Sequence, residues 1–418
     1  MDNKEKKKDE MHDNILNKIF FNKYKCLQKL GEGSFGCIYK AVYNKEYYAL
    51  KFESLERGLN LLENEAIIMN YLKGPNIPYI KLYGSTSKYN ILVMQLLGKS
   101  LETIFEEKKT FSLKTVCMIG YQFVTVLEYI HNKHILHRDI KPDNFVMGLN
   151  NLSQHVYLLD FGLAKKYRSS KTLKQIPLVN RKKLTGTARY ASINALKGFE
   201  HSRRDDLEAA GYVLIYFIKG RLPWQGMIAK NKEERYRKIL RKKIDTSIKE
   251  LCTDLPEEFN KYFEHTKHLE YLDKPNYEML KSLFNIILKR EHYNFDYIYD
   301  WTTPDERKMR RVITPKSEFE SNQNKKTTLA SFKNFGDSRQ ENNDKSFFLT
   351  LENNNHKTNC NSKINSIKIY SKHKSKNDKG NKEDDINDEP IILWNKKVHL
   401  DTISNDDVVC CTSVCLLF

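Results

Sequence analysis

An acid, a lysine and an amide lie close together near the middle of the chain, within the segment His137–Phe145. Asp139 could accept a proton from an attacking hydroxyl group, because a positioned carboxylate can act as a general base. Lys141 could neutralise a transferring phosphoryl group, and Asn144 could offer its amide oxygen to a metal ion. These residue types at this spacing predict phosphoryl transfer. The alternative is a charged surface turn around Pro142, and matching motifs on both sides argue against it.

A second acidic residue follows at the end of a predicted strand. The strand is His155–Leu159, and the tripeptide Asp160-Phe161-Gly162 comes directly after it. An Asp at a strand end, followed by a flexible glycine, is well placed to bind a Mg²⁺ ion that bridges nucleotide phosphates. Alone the tripeptide means little, but here it lies sixteen residues after Asn144. Asp160 and Asn144 are therefore the predicted metal ligands.

A glycine-rich turn near the N-terminus predicts where the nucleotide phosphates lie. Gly31, Gly33 and Gly36 have the spacing G-x-G-x-x-G, which lets the backbone approach phosphate oxygens because glycine has no Cβ. Dinucleotide-binding folds use the same spacing, but their loop runs into a helix. Here the turn lies between two predicted strands, Tyr24–Leu30 and Cys37–Val42. A strand-turn-strand flap over ATP is therefore favoured.

A lysine and a glutamate complete this predicted nucleotide site. Lys51 ends the next predicted strand and could hold the α- and β-phosphates. Glu65 lies in a helical pattern of apolar residues spaced three and four apart, and its carboxylate would fix the lysine. Farther along, Met94 would lie at the back of an adenine pocket, and Gln95 and Leu97 would form a hinge whose backbone binds adenine.

The region beyond the hinge is predicted to be mainly helical. Apolar residues from Val116 to Ile130 recur along one face of a long helix. Asp206 begins an almost wholly apolar and therefore buried helix that runs to about Ile218. Asp206 would cap this helix and bind the backbone of the segment His137–Phe145, the predicted catalytic loop. The Leu-rich stretch Tyr262–Lys289 is also predicted to be helical.

These motifs resemble those of serine/threonine protein kinases. The stretches Leu184–Asn194, Ser202–Glu208 and Leu222–Gly226 are more specific and are similar to casein kinase 1. The resemblance covers roughly residues 22–302. It implies an α+β, bilobal protein-kinase fold, with an antiparallel sheet plus one helix in the N-lobe and a mainly helical C-lobe. It also implies ATP and Mg²⁺ as cofactors, and phosphoryl transfer to Ser or Thr of protein substrates.

The resemblance further implies a preference for substrates that are already phosphorylated, or acidic, on the N-terminal side of the target residue. The positions that match the family's anion site are Arg138, Arg189 and Arg235. A planar guanidinium group suits phosphate well. The charge agrees, because Lys and Arg exceed Asp and Glu by 18, and residues 1–310 carry 16 of this excess. A surface this basic favours anionic partners.

The composition predicts one folded domain between a short lead-in and a long tail. Residues 1–21 are charged and predicted to be disordered. The kinase-like domain is predicted at residues 22–302, with its N-lobe at 22–95 and its C-lobe at 99–302. Residues 303–407 are rich in Asn, Lys and Ser, and we expect them to form a disordered, low-complexity tail.

The segment 408–418 is rich in cysteine and predicts lipid attachment. Cys415-Leu-Leu-Phe follows the C-a-a-X pattern of prenylation, and the final Phe favours geranylgeranyl. Cys410 and Cys411 could carry palmitate as the second signal that stable anchoring needs. A chance cysteine in an apolar end is one alternative, and palmitate on all three cysteines is another. Since no apolar run is long enough to span a membrane, we expect a cytoplasmic protein held at the cytoplasmic face of a membrane by lipid.

Two other classes of function stay open at this point. A catalytically silent pseudokinase that serves as a membrane-associated scaffold would share the fold, but every expected catalytic residue is present. A nucleic-acid-binding protein is suggested by charge alone, and no motif for nucleic acid supports it. The eight cysteines match neither a disulfide framework nor a zinc site. We therefore expect a monomer that acts on proteins and binds no nucleic acid.

Overall fold

An antiparallel sheet and one α-helix form the N-terminal lobe. The structure is a computed structural model, and it describes residues 15–33, 36–58, 60–169, 171–313 and 391–392. The elements of this lobe are β1 (Ile19–Phe20), β2 (Tyr24–Gly33), β3 (Gly36–Tyr43), β4 (Glu46–Ser54), the helix α1 (Leu61–Leu72), β5 (Ile80–Ser85) and β6 (Tyr89–Gln95).

The sheet places alternate residues of its central strand on opposite faces. Across the sheet the order is β1, β2, β3, β4, β6, β5, and every neighbouring pair is antiparallel. Lys51 of β4 lies opposite Ile38 of β3 and Leu92 of β6. Ala49 joins the main core together with α1, whereas Leu50 joins a second core on the outer face. Lys51 therefore faces the same side as α1.

The outer face of the sheet is covered by residues from the predicted lead-in. Ile15, Phe20 and Phe21 are buried there with the tyrosines and phenylalanines of β2 to β4. Their burial removes apolar surface from water, which stabilises a segment that is otherwise rich in charge. The prediction of disorder over residues 1–21 is therefore wrong for residues 15–21, while the first fourteen residues lie outside the described part of the chain.

The C-terminal lobe is mainly helical, and with the sheet of the N-lobe it confirms the predicted α+β, two-lobed architecture. Four short strands pair as β7 with β10 and as β8 with β9. They are β7 (Ile135–Leu136), β8 (Phe145–Met147), β9 (Val156–Leu158) and β10 (Lys165–Lys166). The helices are α2 (Leu101–Lys108), α3 (Leu113–Asn132), α4 (Ile193–Leu196), α5 (Arg203–Lys219), α6 (Lys232–Asp245), α7 (Ile248–Leu251), α8 (Glu257–His268) and α9 (Tyr277–Arg290).

Two helices replace the single predicted helix over Tyr262–Lys289. α8 ends at His268 and α9 begins at Tyr277. Pro275 lies between them, and proline cannot donate the backbone hydrogen bond that a continuous helix needs. Asn276 then caps α9, because its side chain accepts a hydrogen bond from the Met279 N–H.

The buried helix α5 begins three residues before the predicted start. Ser202 is its N-cap and forms a capping box with Asp205. Asp206, which the sequence predicted as the cap, follows Asp205 in the helix. Its side chain points to the catalytic loop. Its buried carboxylate accepts hydrogen bonds from the N–H groups of His137 and Arg138, both at 2.9 Å. The predicted contact with that loop is confirmed, and the predicted cap is wrong.

Two further elements lie in the region that was predicted as a disordered tail. One is the helix α10 (Pro304–Ile313), and the other is the strand β11 (Ile391–Ile392), which pairs antiparallel with β5. The predicted start of disorder at residue 303 is therefore too early, while residues 314–390 lie outside the described part of the chain. Among the helices that the structure describes, none has the length and apolar character needed to cross a membrane.

Candidate active site

Charged side chains from both lobes meet at Lys51. Its Nζ atom lies 2.7 Å from Glu65 Oε2 on α1 and 3.0 Å from Asp160 Oδ1, which follows β9. The lysine thus joins the sheet, the helix and the C-lobe. The arrangement depends on β4 presenting Lys51 on the side that faces α1.

Electrostatics keep Lys51 and Asp160 of this cluster charged. Burial alone would lower the pKa of Lys51, but the carboxylates of Asp160 and Glu65 outweigh it and raise that pKa. Burial would likewise raise the pKa of Asp160, yet the positive charges of Lys51 and Lys141 lower it to about 2. Burial does raise the pKa of Glu65. The ammonium group of Lys51, 2.7 Å away, opposes that rise.

A second glutamate, which the sequence analysis missed, holds α1 in place. Glu53 is 3% exposed, and its Oε1 atom accepts hydrogen bonds from the N–H groups of Leu61 and Leu62 at 3.1 and 3.3 Å. Its Oε2 atom accepts one from the Asn90 amide at 3.2 Å. Glu53 therefore fixes the helix that carries Glu65. A signal for it existed, because residues two apart in a strand share a face.

The catalytic loop holds Asp139 between a cation and a hydroxyl group. Asp139 Oδ2 lies 2.9 Å from Lys141 Nζ, and Oδ1 accepts a hydrogen bond of 2.8 Å from the Thr187 hydroxyl. The Asn144 side chain donates to the Asp139 carbonyl oxygen at 2.8 Å. Thr187 is also a residue that the sequence analysis missed. A carboxylate fixed in this way can accept a proton from a hydroxyl group placed beside it.

The residue before Asp139 has a backbone conformation that side chains rarely adopt. Arg138 has φ 68°, and its carbonyl oxygen lies against Gly186, where an added Cβ would approach it to 2.4 Å. Asp206 compensates by accepting the N–H groups of His137 and Arg138. The Nε2–H of His131 donates to the same carboxylate at 3.0 Å. Asp206 thus stabilises a strained turn that positions the Asp139 carboxylate.

The donor set at Asp160 and Asn144 suits magnesium. A carboxylate and an amide offer the hard oxygen ligands that Mg²⁺ prefers. The Asn144 amide nitrogen is used by the Asp139 carbonyl, which leaves the amide oxygen for a metal ion. Within the described ranges no group of three His, Cys, Asp or Glu side chains could hold a metal alone. Mg²⁺ bound here would therefore take its other ligands from phosphate and water.

The glycine-rich turn leaves room for a ligand at two of its three glycines. A Cβ added at Gly31 or Gly33 would meet no atom within 4 Å, which fits a cradle for phosphates. Gly36 differs, because a Cβ there would lie 1.7 Å from the Phe52 carbonyl oxygen of β4. Gly36 is thus required by the packing of β3 on β4, and its place in the motif has a structural reason.

This contrast between Gly36 and Gly33 predicts that replacing each by alanine changes a different property, stability in one case and ATP binding in the other. Gly36→Ala should destabilise the protein by about 1–3 kcal/mol, the usual cost of forcing an extra carbon into a packed site. Gly33→Ala should leave the free energy of unfolding nearly unchanged and raise KM for ATP, because its methyl group would enter the phosphate cradle. Chemical denaturation and ATP titrations separate the two effects. Equal losses of stability in both variants would contradict this description of the turn.

The hinge residues differ in what their backbone can offer. Met94 is buried at the end of β6, and the Gln95 N–H is already used by the Tyr79 carbonyl oxygen at 3.0 Å. Leu97 forms no backbone hydrogen bond with any residue that the structure describes. Of the three predicted adenine-binding residues, Leu97 therefore has both an N–H and a C=O available for a base.

The three arginines of the predicted anion site have different surroundings. Arg138 Nε donates to the Leu163 carbonyl oxygen at 2.7 Å, and burial lowers the pKa of this guanidinium. Arg189 lies against the rings of Tyr190 and Tyr216, with centroids 5.7 and 5.9 Å away. Arg235 is exposed on α6 and has no side-chain hydrogen bond or ion pair with the described residues. Among the described residues, no hydrogen bond or ion pair links the three arginines through a common partner.

Comparison with known protein families matches residues 24–292 to the protein kinase domain. The match covers well over half of the chain and includes every residue of the cluster around Lys51 and Asp139. Cys410, Cys411 and Cys415 lie outside both the match and the described residues. The antiparallel N-lobe, the helical C-lobe and the family match agree, and the chain belongs to the protein kinases, which transfer phosphate from ATP to protein substrates.

Proposed function

We propose that this kinase phosphorylates Ser or Thr residues in proteins and favours sites that are already phosphorylated or acidic. The observation that carries the proposal is the pairing of Asp139 with Lys141 and Thr187, beside the cluster that Lys51 forms with Glu65 and Asp160. The casein kinase 1-like stretches of the sequence support the substrate preference.

In the proposed mechanism the substrate hydroxyl oxygen attacks the γ-phosphorus of ATP, and ADP leaves with the electrons of the broken bond. Asp139 accepts the hydroxyl proton, and Lys141 neutralises charge on the transferring group. Lys51, fixed by Glu65, holds the α- and β-phosphates. Asn144 and Asp160 would bind Mg²⁺, which would neutralise the phosphate charge. Alignment and charge neutralisation supply most of the catalysis in such a reaction.

Arg189 is the residue that we propose as the main ligand for the phosphate of an already phosphorylated substrate. It lies two residues after Thr187, whose hydroxyl group binds Asp139. In an extended peptide, a phosphate three residues upstream of the target lies about 10 Å from the target residue. Such a substrate would therefore need an anion-binding group at about this distance from Asp139. The exposed guanidinium of Arg235 would add a second ligand. Arg138 is the third residue of the predicted anion site, and the acidic Glu200 is its electrostatic neighbour.

The acceptor residue can be tested with three peptides that differ only in Ser, Thr or Tyr at one position. We expect transfer of labelled phosphate to Ser and Thr, and none to Tyr, with mass spectrometry to locate the product. Transfer to Tyr at a comparable rate would overturn the proposed specificity. The scaffold alternative predicts no transfer above the level of an Asp139→Asn variant with any of the three peptides.

Membrane attachment is proposed on the sequence motif alone. We infer that Cys415 carries a prenyl group and that Cys410 or Cys411 carries palmitate, which together would hold the kinase at a membrane. A Cys415→Ser variant should move from the membrane fraction of cells to the supernatant, while Cys252→Ser should not. Unchanged membrane binding of Cys415→Ser would contradict the prenyl proposal.

A further inference from the structure

A lysine lies in the core of the C-lobe without an acidic ion-pair partner among the described residues. Lys243 is 1% exposed, although it belongs to α6, a helix whose basic side chains are otherwise mostly at the surface. The carboxylate that attracts it electrostatically, Glu208, accepts its hydrogen bonds from the Tyr212 hydroxyl and the Ile193 N–H. Burial of an unpaired charge is costly. A hydrophobic side chain would avoid that cost, so the lysine needs another explanation.

The surroundings of Lys243 replace water with one carbonyl oxygen and two aromatic faces. Its Nζ atom donates a hydrogen bond to the Ala191 carbonyl oxygen. The same atom lies 4.3 Å from the ring centroid of Tyr212 and 4.7 Å from that of Trp224, distances at which cation–π attraction is effective. The two rings meet edge to face at 4.9 Å. The ammonium group is thus held in one position and aimed at one backbone oxygen.

That backbone oxygen belongs to a segment that is anchored at every second residue. The Trp224 indole donates to the Arg189 carbonyl oxygen at 2.7 Å, and Ile193 donates its N–H to Glu208 at 3.1 Å. Lys243 supplies the contact between these two, at Ala191. We call Arg189–Ile193 the anchored segment. Since its two end contacts come from α5 and from the loop after it, Lys243 is the contribution of α6.

The anchored segment connects to the catalytic carboxylate through Thr187. The Ala191 N–H donates to the Thr187 carbonyl oxygen at 3.0 Å, and the Thr187 hydroxyl donates to Asp139 at 2.8 Å. A shift of Ala191 would therefore move Thr187 and also Arg189, the guanidinium proposed above to bind substrate phosphate. Among the residues that the structure describes, no hydrogen bond or ion pair joins Lys51 or Glu65 to this segment.

We propose that Lys243 is a positioning residue for the protein substrate, and that its ammonium group fixes the anchored segment so that Thr187 and Arg189 face the acceptor peptide. The part that concerns Arg189 rests on the proposed function, whereas the part that concerns Thr187 needs only the kinase reaction. Burial lowers the pKa of Lys243 well below the ordinary value, opposed by Glu208, and both the ammonium group and the neutral amine can donate the hydrogen bond to the Ala191 carbonyl oxygen.

The test compares Lys243→Met with Lys281→Met. Both replace a buried lysine of the C-lobe with an apolar side chain of similar length, but Lys281 is paired with Glu128 and Glu278 on α3 and α9. Lys243→Met should raise KM for an unprimed Ser peptide by about tenfold or more, the usual effect of losing a hydrogen bond from a charged group. KM for ATP should stay within about twofold. Lys281→Met should lower the melting temperature and leave both KM values unchanged.

Trp224→Phe guards against a Lys243 variant that fails to fold, because it removes the indole N–H that anchors Arg189 and keeps an aromatic ring beside Lys243. It should raise KM for the peptide and not KM for ATP. The proposal is overturned if the peptide KM of both variants equals that of the wild type, or if KM for ATP rises by the same factor. If the wild type showed no preference for peptides that are already phosphorylated, the part of the proposal that concerns Arg189 would be wrong. The role of Lys243 through Thr187 would still be tested by the unphosphorylated peptide.

Discussion

Replacement of Asp139 by Asn should lower kcat by about 10²–10⁴-fold, the usual contribution of a positioned general base. The amide keeps the size of the carboxylate and can still accept the hydrogen bond from Thr187, which lies at 2.8 Å. It cannot take up the proton of the substrate hydroxyl, and it leaves Lys141, now 2.9 Å from the carboxylate, without its ionic partner. KM for ATP should change little, because Lys51 and Asp160 are untouched.

Asp143→Asn is the matched control for this experiment. It makes the same chemical change in the same loop, but the Asp143 side chain is exposed. We expect its kcat to stay within about twofold of the wild type, as is usual for surface substitutions. Retention of more than a tenth of kcat in Asp139→Asn would assign the proton transfer to another group.

Replacement of Lys51 by Met should lower kcat/KM by about 10²–10³-fold, the typical loss when one preorganised charge at a reacting phosphate is removed. The change also leaves the carboxylates of Glu65 and Asp160 facing one another in a buried site without the cation that lies 2.7 and 3.0 Å from them. Like charges at this range repel. The melting temperature should therefore fall as well, and α1 should be less firmly held against the C-lobe.

Lys99→Met provides the comparison, since Lys99 forms an exposed ion pair with Glu107. Such surface pairs contribute roughly 0–1 kcal/mol, so neither activity nor melting temperature should change measurably. Calorimetry and steady-state kinetics on the two variants give both readouts. A Lys51→Met enzyme with wild-type kcat/KM would show that the phosphates are held elsewhere.

The parts of the site that lie in continuous motifs could be predicted from the sequence. Asp139, Lys141 and Asn144 are close in the chain, so their types and spacing carry the information. Asp160 follows a strand whose apolar pattern is visible without a structure. The helix that carries Glu65 has a clear three-and-four periodicity, and α1 spans Leu61–Leu72 as the pattern indicates.

The residues that were missed depend on contacts between distant parts of the chain. Thr187 reaches Asp139 across 48 residues, and no local pattern marks such a return. Lys243 lies in a run of basic residues, where the usual interpretation is a solvated helix face, and only its packing under Tyr212 and Trp224 distinguishes it. Glu53 is different, because its position two residues after Lys51 in a strand could have indicated a shared face.

The boundaries were less predictable than the elements themselves. Charged residues dominate the N-terminal segment and favour a prediction of disorder, yet three apolar side chains are enough to fix residues 15–21 on the outer face of the sheet. The break between α8 and α9 could have been predicted from Pro275. The cap of α5 could not be predicted, because Ser202, Asp205 and Asp206 are all good capping residues. Only the structure shows that Ser202 is the N-cap.

The substrate preference is tested most directly by the kcat/KM ratio for the peptides pSer-x-x-Ser and Ser-x-x-Ser. The wild type should favour the phosphorylated peptide by at least about tenfold, since charge-assisted bonds to phosphate are strong. Arg189→Gln and Arg235→Gln should bring the ratio towards one, whereas Arg241→Gln on the exposed face of α6 should not. Equal kcat/KM values for both peptides in the wild type would contradict the proposed recognition of phosphorylated substrates and leave only the kinase activity.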